Sequence, residues 1–339
     1  MKRALVTGGS GFIGRHLIRR LIQERYQVRV LVRSSSLVPP SFRSAMPSVE
    51  WIEGDVRDAP KMKEATAAAD VIFHLAGRTH ALSEDGEDDA AYHAVNVEGT
   101  RNVLEGAVAG GVQRVIFFSS VKVFGEETGE CLDETAPPQP LTAYGRTKLE
   151  AENLVREYAR ATGGLGVSLR LPLVYGPGVK GNIYRMIWAI DHHLFPPFPH
   201  LPNRRSLVHV SNVVAASLLA ASCAPTSSCY IVTDRLPYST RKLYEMICRG
   251  LGKQIPHWQM PLTALNIFGR LGDLAGRITK RRFPIDSDSL DKLVGSAWYS
   301  SQRISRELGY DPVVDLEGAL PELIAGYRSQ KDERRLWEQ

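Results

Sequence analysis

Tyr144 and Lys148, four residues apart in Tyr-Gly-Arg-Thr-Lys, are the pair in this chain best suited to moving a proton. The stretch they open reads as a helix running to about Ala161, so the spacing sets phenol and ammonium on one helix face. An ammonium beside a phenol favours the phenolate. The expectation is therefore a tyrosine drawn down toward working pH, able to take a proton from an alcohol or return one to it. A Tyr-x-x-x-Lys spacing recurs by chance, but Ser119-Ser120 ends a predicted strand and adds a hydroxyl able to bond the same reacting oxygen. Such a set serves an alcohol at a hydride-bearing carbon, and that chemistry needs a hydride carrier.

A seat for one stands at the start of the chain. Thr7-Gly8-Gly9-Ser10-Gly11-Phe12-Ile13-Gly14 follows a predicted strand and opens a predicted helix, Arg15–Glu24, the context in which a glycine motif marks a dinucleotide site. Gly8 is expected to allow a sharp turn, Gly11 the approach of the pyrophosphate, and Gly14 close packing of the helix on the sheet. The helix start then offers free N–H groups to phosphate. An acidic residue commonly ends the second strand in an NAD site, whereas this chain has Val32, then Arg33 and Ser34-Ser35-Ser36. A guanidinium and hydroxyls with no carboxylate to repel a 2′-phosphate favour NADP(H); NAD(H) is the alternative, with Arg33 then an ordinary surface arginine. Two further loops face the same crevice. Asp55 and Val56 are placed beside the adenine, and Leu75, Ala76 and Gly77 in His74-Leu75-Ala76-Gly77 along the nicotinamide ribose.

The elements that must position these groups alternate. Ala4–Thr7, Val28–Val32, Val49–Glu53, Val71–Leu75 and Val115–Phe118 read as strands, each followed by a polar or helical stretch. This predicts an α/β fold, a Rossmann-like doubly wound parallel sheet, with a smaller, mostly helical C-terminal substrate-binding part. The alternation fades near Pro172, and a Gly-, Pro- and aromatic-rich stretch from Gly176 to about Pro202 reads as loop around a site. Beyond it come a strand at Tyr230–Val232 and helices at Thr240–Leu251, Leu262–Ile278 and Leu316–Arg328. The division expected is 1–175 for the dinucleotide-binding domain, 176–330 for the substrate-binding part, and 331–339 for a fraying tail.

At 339 residues and 43% hydrophobic the chain can bury a large core. Its 42 basic against 37 acidic side chains, net +5, is a mild excess without the interleaved basic and aromatic runs of a nucleic-acid binder, so no nucleic-acid partner is expected. No apolar stretch approaches the roughly 18 residues of a membrane span. The amphipathic segment Leu262–Arg282 ends in Lys280-Arg281-Arg282, which suits a membrane surface but suits a packed helix with a solvated basic end better. Four cysteines without a CxxC pair, and no leader ahead of the first strand, point to a reducing cytoplasm. His192-His193 lacks a third ligand nearby and reads as helix surface, so no metal is expected.

With these motifs taken together, the chain resembles the extended short-chain dehydrogenase/reductase family, in its nucleotide-sugar epimerase and dehydratase branch. The carriers are Thr7–Gly14, Gly54-Asp55, His74–Gly77, Asn96–Thr100, Ser119–Gly125, Tyr144–Lys148, Arg170–Gly178 and Leu308–Pro312, spanning Lys2 to about Gly326. The resemblance implies catalytic roles for Ser120, Tyr144 and Lys148, with Lys148 also on the nicotinamide ribose and Asn96 near the cofactor; Asn102 is expected to be structural. Val121 and Lys122 stand where family dehydratases carry an Asp-Glu pair, which argues against dehydration. Lys122 is a candidate substrate contact or a solvated lysine, and Phe124 replaces the family's usual tyrosine. Arg205 matches the family arginine on the pyrophosphate of a nucleotide-diphosphate sugar, with Arg204 its competitor, and Asn182 is placed on the diphosphate or as a helix cap. The helical stretches Asp88–Gly110 and Ala143–Ala161 match those that often pair subunits, so a homodimer is expected.

Several functions remain open on these residues. A 4-ketosugar reductase acting on a UDP-4-keto-6-deoxy-hexosamine agrees with Val32-Arg33 and with the Gly178–Asn182 and Asn203–Ser206 patterns, and is favoured. A UDP-sugar 4-epimerase, which keeps its NAD, is the alternative. A dehydrogenase of hydroxysteroids or flavonoids would differ at Arg205 and Asn182, and a non-catalytic dinucleotide sensor would have no use for Ser120, Tyr144 and Lys148 together.

Overall fold

The computed structural model describes residues 1–79, 89–179, 181–223, 225, 228–279 and 287–337. Nine strands form: β1 (Arg3–Thr7), β2 (Gln27–Val32), β3 (Glu50–Glu53), β4 (Val71–His74), β5 (Arg114–Ser120), β6 (Leu165–Leu171), β7 (Leu173–Tyr175), β8 (Leu207–His209) and β9 (Cys229–Ile231). Seven of them make one sheet in the order β3-β2-β1-β4-β5-β6-β9, every neighbour pair parallel, while β7 and β8 pair separately. The chain winds outward from β1 through β2 to β3, then crosses back to β4 beside β1. That reversal is the switch point where the loops at the strands' C-terminal ends part to leave a crevice.

Side-chain alternation explains why the sheet is covered on both faces. Ala4 and Val6 of β1, Val71 and Phe73 of β4, and Ile116 and Phe118 of β5 enter one apolar cluster with Leu17, Ile18 and Leu21 of the helix Phe12–Gln23. Leu5, Ile72, Val115 and Phe117 enter the opposite one, with Met62, Val103, Ala151 and Val155 from helices Ala59–Thr66, Gly99–Ala109 and Ala143–Thr162. Every second residue of a strand faces the same way, so near-continuous apolar runs are what a doubly covered parallel sheet requires.

The expected strands all form, with ends shifted by a residue or two. Strands β6, β7 and β8 were not read from the sequence. In β6 the reason is that Gly166, Ser168 and Arg170 fill one parity of the strand, with Arg170 only 4% exposed. The helix Leu316–Trp337 continues through most of the segment expected to fray. The chain also returns to the main sheet beyond residue 175: β9 extends its edge at β6, and the helix Val210–Ser222 packs on the helix Phe12–Gln23. The remaining C-terminal part is mostly helical, its core built from Ile183, Ile187, Leu243, Ile247, Leu320 and Tyr327. His192 and His193 do not lie on a helix surface, because the helix Asn182–Asp191 ends before them and His193 adopts φ of 59°. Among the described residues no group of side chains has the makings of a metal site. No described helix is long and apolar enough to cross a membrane. The basic end Lys280–Arg282 lies outside the described residues, as do Lys180 and the expected helix start at Asp88.

Candidate active site

The glycine turn after β1 has the shape a dinucleotide needs. Gly8 adopts φ of 72°, and a Cβ there would stand 2.7 Å from the backbone N of Ala76. Gly14 packs on the turn itself rather than on the sheet, since its Cβ would lie 2.6 Å from Gly8 O and 2.7 Å from Gly9 Cα. Gly11 is the N-cap of the helix Phe12–Gln23 and brings no side chain to its first N–H groups. Phe12 sets its ring edge-on to His16, and Ile13 packs on the core, so both hold the turn from below. An uncapped helix start behind a side-chain-free cradle fits a pyrophosphate.

Beneath this turn lies a one-way hydrogen-bond relay that the sequence did not disclose. The hydroxyl of Thr100 donates to the Asn96 carbonyl at 2.6 Å, so its oxygen accepts from His74 Nε2 at 2.9 Å. His74 Nδ1 must then accept from the Thr7 hydroxyl at 2.7 Å, while Thr7 Oγ1 accepts the Ala76 N–H at 3.2 Å. The directions fix His74 as the neutral Nε2–H tautomer, and burial together with the Lys148 charge lowers its pKa to about 3. Asn96 sits in a π-helical turn, Ala94–Glu98. Its Oδ1 accepts Arg78 N at 2.7 Å, and its amide donates to Arg78 O and Thr147 Oγ1. It thereby ties the loop Leu75-Ala76-Gly77-Arg78 to the helix that carries Tyr144. A Cβ on Gly77 would fall 3.1 Å from Asn96 Oδ1 and 3.4 Å from Lys148 Nζ, so these three expected cofactor residues do meet.

Ser120 ends β5, with its Oγ accepting Lys122 N–H as the cap of a short 3-10 turn, Val121–Phe124. The same hydroxyl acts to lower the pKa of the Tyr144 phenol, which places it beside that phenol. Helix Ala143–Thr162 starts at Thr142, whose side chain caps Gly145 N–H, and this fixes where Tyr144 emerges. The expected ammonium effect on the phenol is absent from the geometry. Lys148 Nζ donates instead to the Phe118 carbonyl at 2.7 Å and lies 4.4 Å from the centre of the Phe117 ring. Burial pushes the Tyr144 phenol up to about 12, against the pull of Ser120, and burial brings Lys148 down to about 8. Below them Ser119 donates to Glu152 at 2.5 Å, and Arg170 grips the same carboxylate through Nε at 3.0 Å and Nη2 at 2.7 Å. That buried triad pins β5, β6 and the helix bearing Tyr144 together.

On the substrate side, Arg205 is held between the backbones of Tyr238 and Ala297. Its Nε is buried with no hydrogen-bond partner among the described residues. Burial lowers its pKa, with Glu127, Tyr299 and Glu126 acting the other way. Tyr299 stacks on Phe124 at 5.9 Å, so Arg205 connects through that ring to the turn that Ser120 begins. Lys122 is in an ion pair with Glu126. Arg204 is exposed over Trp298, and Asn182 is exposed at the first position of its helix, where Gly181 is the cap.

The adenosine end departs most from expectation. Val56 is buried against Gly99 and its carbonyl accepts Asn102 Nδ2, the structural role expected of Asn102. Asp55 is engaged by Arg57 through Nε at 3.0 Å and Nη2 at 2.9 Å. Arg33 is exposed. A carboxylate is present after all, because Glu53 reaches over from β3 and accepts Ser35 N–H at 2.6 Å.

A family model described as the NAD dependent epimerase/dehydratase family matches residues 4–228. The chain belongs to this family. It is similar to the UDP-glucose 4-epimerase of Vibrio cholerae, 28% identical over 330 residues, 93% of this chain and 92% of that protein. A 4-hydroxy-2-methyl-3-oxo-4-farnesyl-3,4-dihydroquinoline-1-oxide ketoreductase of Stigmatella aurantiaca is 30% identical over 316 residues, 91% of each chain. Among solved structures, UDP-glucuronic acid 4-epimerase of Bacillus cereus, in complex with UDP-glucuronic acid and NAD, superposes with a TM-score of 0.74 at 21% identity, over 97% of this chain and 99% of that one, which shows the fold. The chain is thus an extended short-chain dehydrogenase/reductase, a member of an NAD-dependent family of epimerases and dehydratases.

Proposed function

We propose that this family member is a 4-epimerase of a UDP-linked sugar. The observation that carries the substrate class is Arg205, a half-buried guanidinium whose Nε has no partner among the described residues. A diphosphate supplies what that group lacks, two anionic oxygens in a plane a guanidinium can match. The nicotinamide dinucleotide supplies the hydride acceptor and donor, and Gly8, Gly11, Gly77 and Lys148 are the residues that would hold it. Tyr144 would take the proton of the C4 hydroxyl as its phenolate, a form that the positive charge of an oxidised nicotinamide would favour against the burial that pushes the phenol up to about 12, and would return that proton to the C4 oxygen after inversion. Ser120 bonds the same oxygen and steadies its developing charge. Val121 and Lys122 offer no acid and base pair for dehydration, and Lys122 is occupied by Glu126.

The 4-ketosugar reductase is the second reading, favoured by the 30% identity to a ketoreductase. Its other support, a seat for the 2′-phosphate of NADPH at Arg33 and the following serines, is weakened because Ser34 and Ser36 bond each other at 2.9 Å. Helices Gly99–Ala109 and Ala143–Thr162 lie side by side, as the expected homodimer contact requires.

The test is to incubate the purified protein with UDP-glucose, UDP-galactose and their N-acetylated and uronic acid counterparts and follow inversion at C4 by proton NMR. Inversion without added cofactor is the expected outcome; reduction of a 4-keto sugar with consumption of reduced cofactor would move the assignment to the reductase. Tyr144→Phe should lower turnover about 100- to 10,000-fold while UDP binding persists.

A further inference from the structure

Position 32, where dinucleotide folds commonly present an acid to the adenosine ribose, is a valine only 3% exposed. Directly alongside it in the sheet, in register, is Glu53, the last residue of β3. Its carboxylate leans into the turn that follows β2 and accepts the Ser35 N–H at 2.6 Å, and Ser35 holds its pKa below the usual carboxylate value. The rest of that turn is closed on itself. Ser36 N–H donates to Ser34 Oγ, Leu37 N–H to Ser34 O, and Val38 N–H to Ser35 O. Of the nearby cations, Arg43 acts on Glu53, while Arg33 acts on Asp55.

We propose that Glu53, delivered from β3, replaces the missing β2 carboxylate and makes the site select NAD(H) over NADP(H). This rests on the dinucleotide reading of the glycine turn and adds to it the residue that sets the choice. The two ribose hydroxyls of NAD are donors in search of an acceptor, and a carboxylate with about four lone-pair sites keeps capacity after bonding Ser35. A 2′-phosphate brings close to two negative charges against that carboxylate and finds the Ser35 N–H already taken. The acid that sequence inspection seeks at the end of the second strand is supplied one strand further out.

Calorimetric titration of the full chain, freed of any copurified nucleotide, with NADH and with NADPH provides the readout. The wild type should bind NADH at least about tenfold more tightly. Glu53→Gln should narrow that ratio about tenfold, chiefly by strengthening NADPH binding, and Glu53→Asp, which keeps the charge, should retain the preference for NADH. If Glu53→Gln does not fold, a wild-type ratio retained by Glu53→Asp and lost by Glu53→Ala supports the assignment. A wild type that binds NADPH as well as NADH, or a ratio indifferent to loss of the Glu53 charge, overturns it. Failure of the wild type to bind either dinucleotide removes the cofactor reading itself, and this inference with it.

Discussion

Beneath the glycine turn, Thr7, His74, Thr100 and Asn96 pass hydrogen bonds along in one direction, with a partner at each step. Across the site Arg205 is half-buried, yet its Nε is buried with no partner among the described residues. A buried polar group left alone costs free energy. A fold tolerates that cost where a ligand supplies the missing partner, whereas the relay beneath the turn is complete without one. The cofactor floor is therefore built to be rigid before anything binds, and the substrate side keeps an unmet hydrogen bond for its ligand.

The largest expected effect comes from breaking the satisfied side at its strongest point. Glu152 holds both Ser119 and Arg170, with side chains only 2% and 5% exposed in the ion pair, so Glu152→Ala strands a buried cation. Urea denaturation should show a loss of about 3–5 kcal/mol. An unchanged midpoint would mean that water reaches Arg170 and that the triad is not closed.

Next comes the protonation state of His74. Its folded pKa near 3 lies below the ordinary value near 6.5, so the unfolded chain binds the extra proton first. Its stabilising contribution is complete above about pH 6.5 and is lost as pH falls toward 3. Between about pH 7.5 and about pH 5 the wild type should lose roughly 2 kcal/mol more stability than His74→Asn, read from urea midpoints at the two pH values. Parallel losses in the two proteins would show that the ring is not held neutral.

On the unsatisfied side the sign reverses. Arg205→Ala should weaken UDP binding about tenfold or more, the scale of a charge-assisted hydrogen bond, while the urea midpoint stays level or rises because no protein hydrogen bond of Nε is lost. A large drop in stability with unchanged UDP affinity would place Arg205 among the structural groups instead. Smallest of all is Lys122→Ala. Its ion pair with Glu126 is about one-third exposed on both sides, and a pair of that kind contributes about 0.3–0.5 kcal/mol. UDP-sugar affinity that fell with it would restore Lys122 to the substrate site.

Much of this site is legible in the residues themselves. Gly8 and Gly11 announce a tight turn of the kind expected to seat a pyrophosphate, and the Tyr144–Lys148 spacing sets both side chains on one helix. The alternating apolar strands order the sheet around them. Strand β6 is harder to read because Gly166, Ser168 and Arg170 leave one of its faces without apolar side chains, and the carboxylate that meets Arg170 belongs to Glu152, on a helix earlier in the chain. Lys148 is expected beside the phenol and the nicotinamide ribose, and the bond that its ammonium makes within the chain goes to the Phe118 carbonyl.

Local sequence thus determined the elements and the residue types available at the switch point, because helix and strand periodicities are set by nearest neighbours along the chain. Tertiary structure alone decided which charge meets which partner. Glu53 reaches Ser35 through strand register, His74 is neutral through two hydroxyls brought from distant segments, and Arg205, packed between Tyr238 and Ala297, finds no partner for Nε among the described residues. Electrostatic and hydrogen-bond energies depend on distance in space, and sequence separation does not encode that distance.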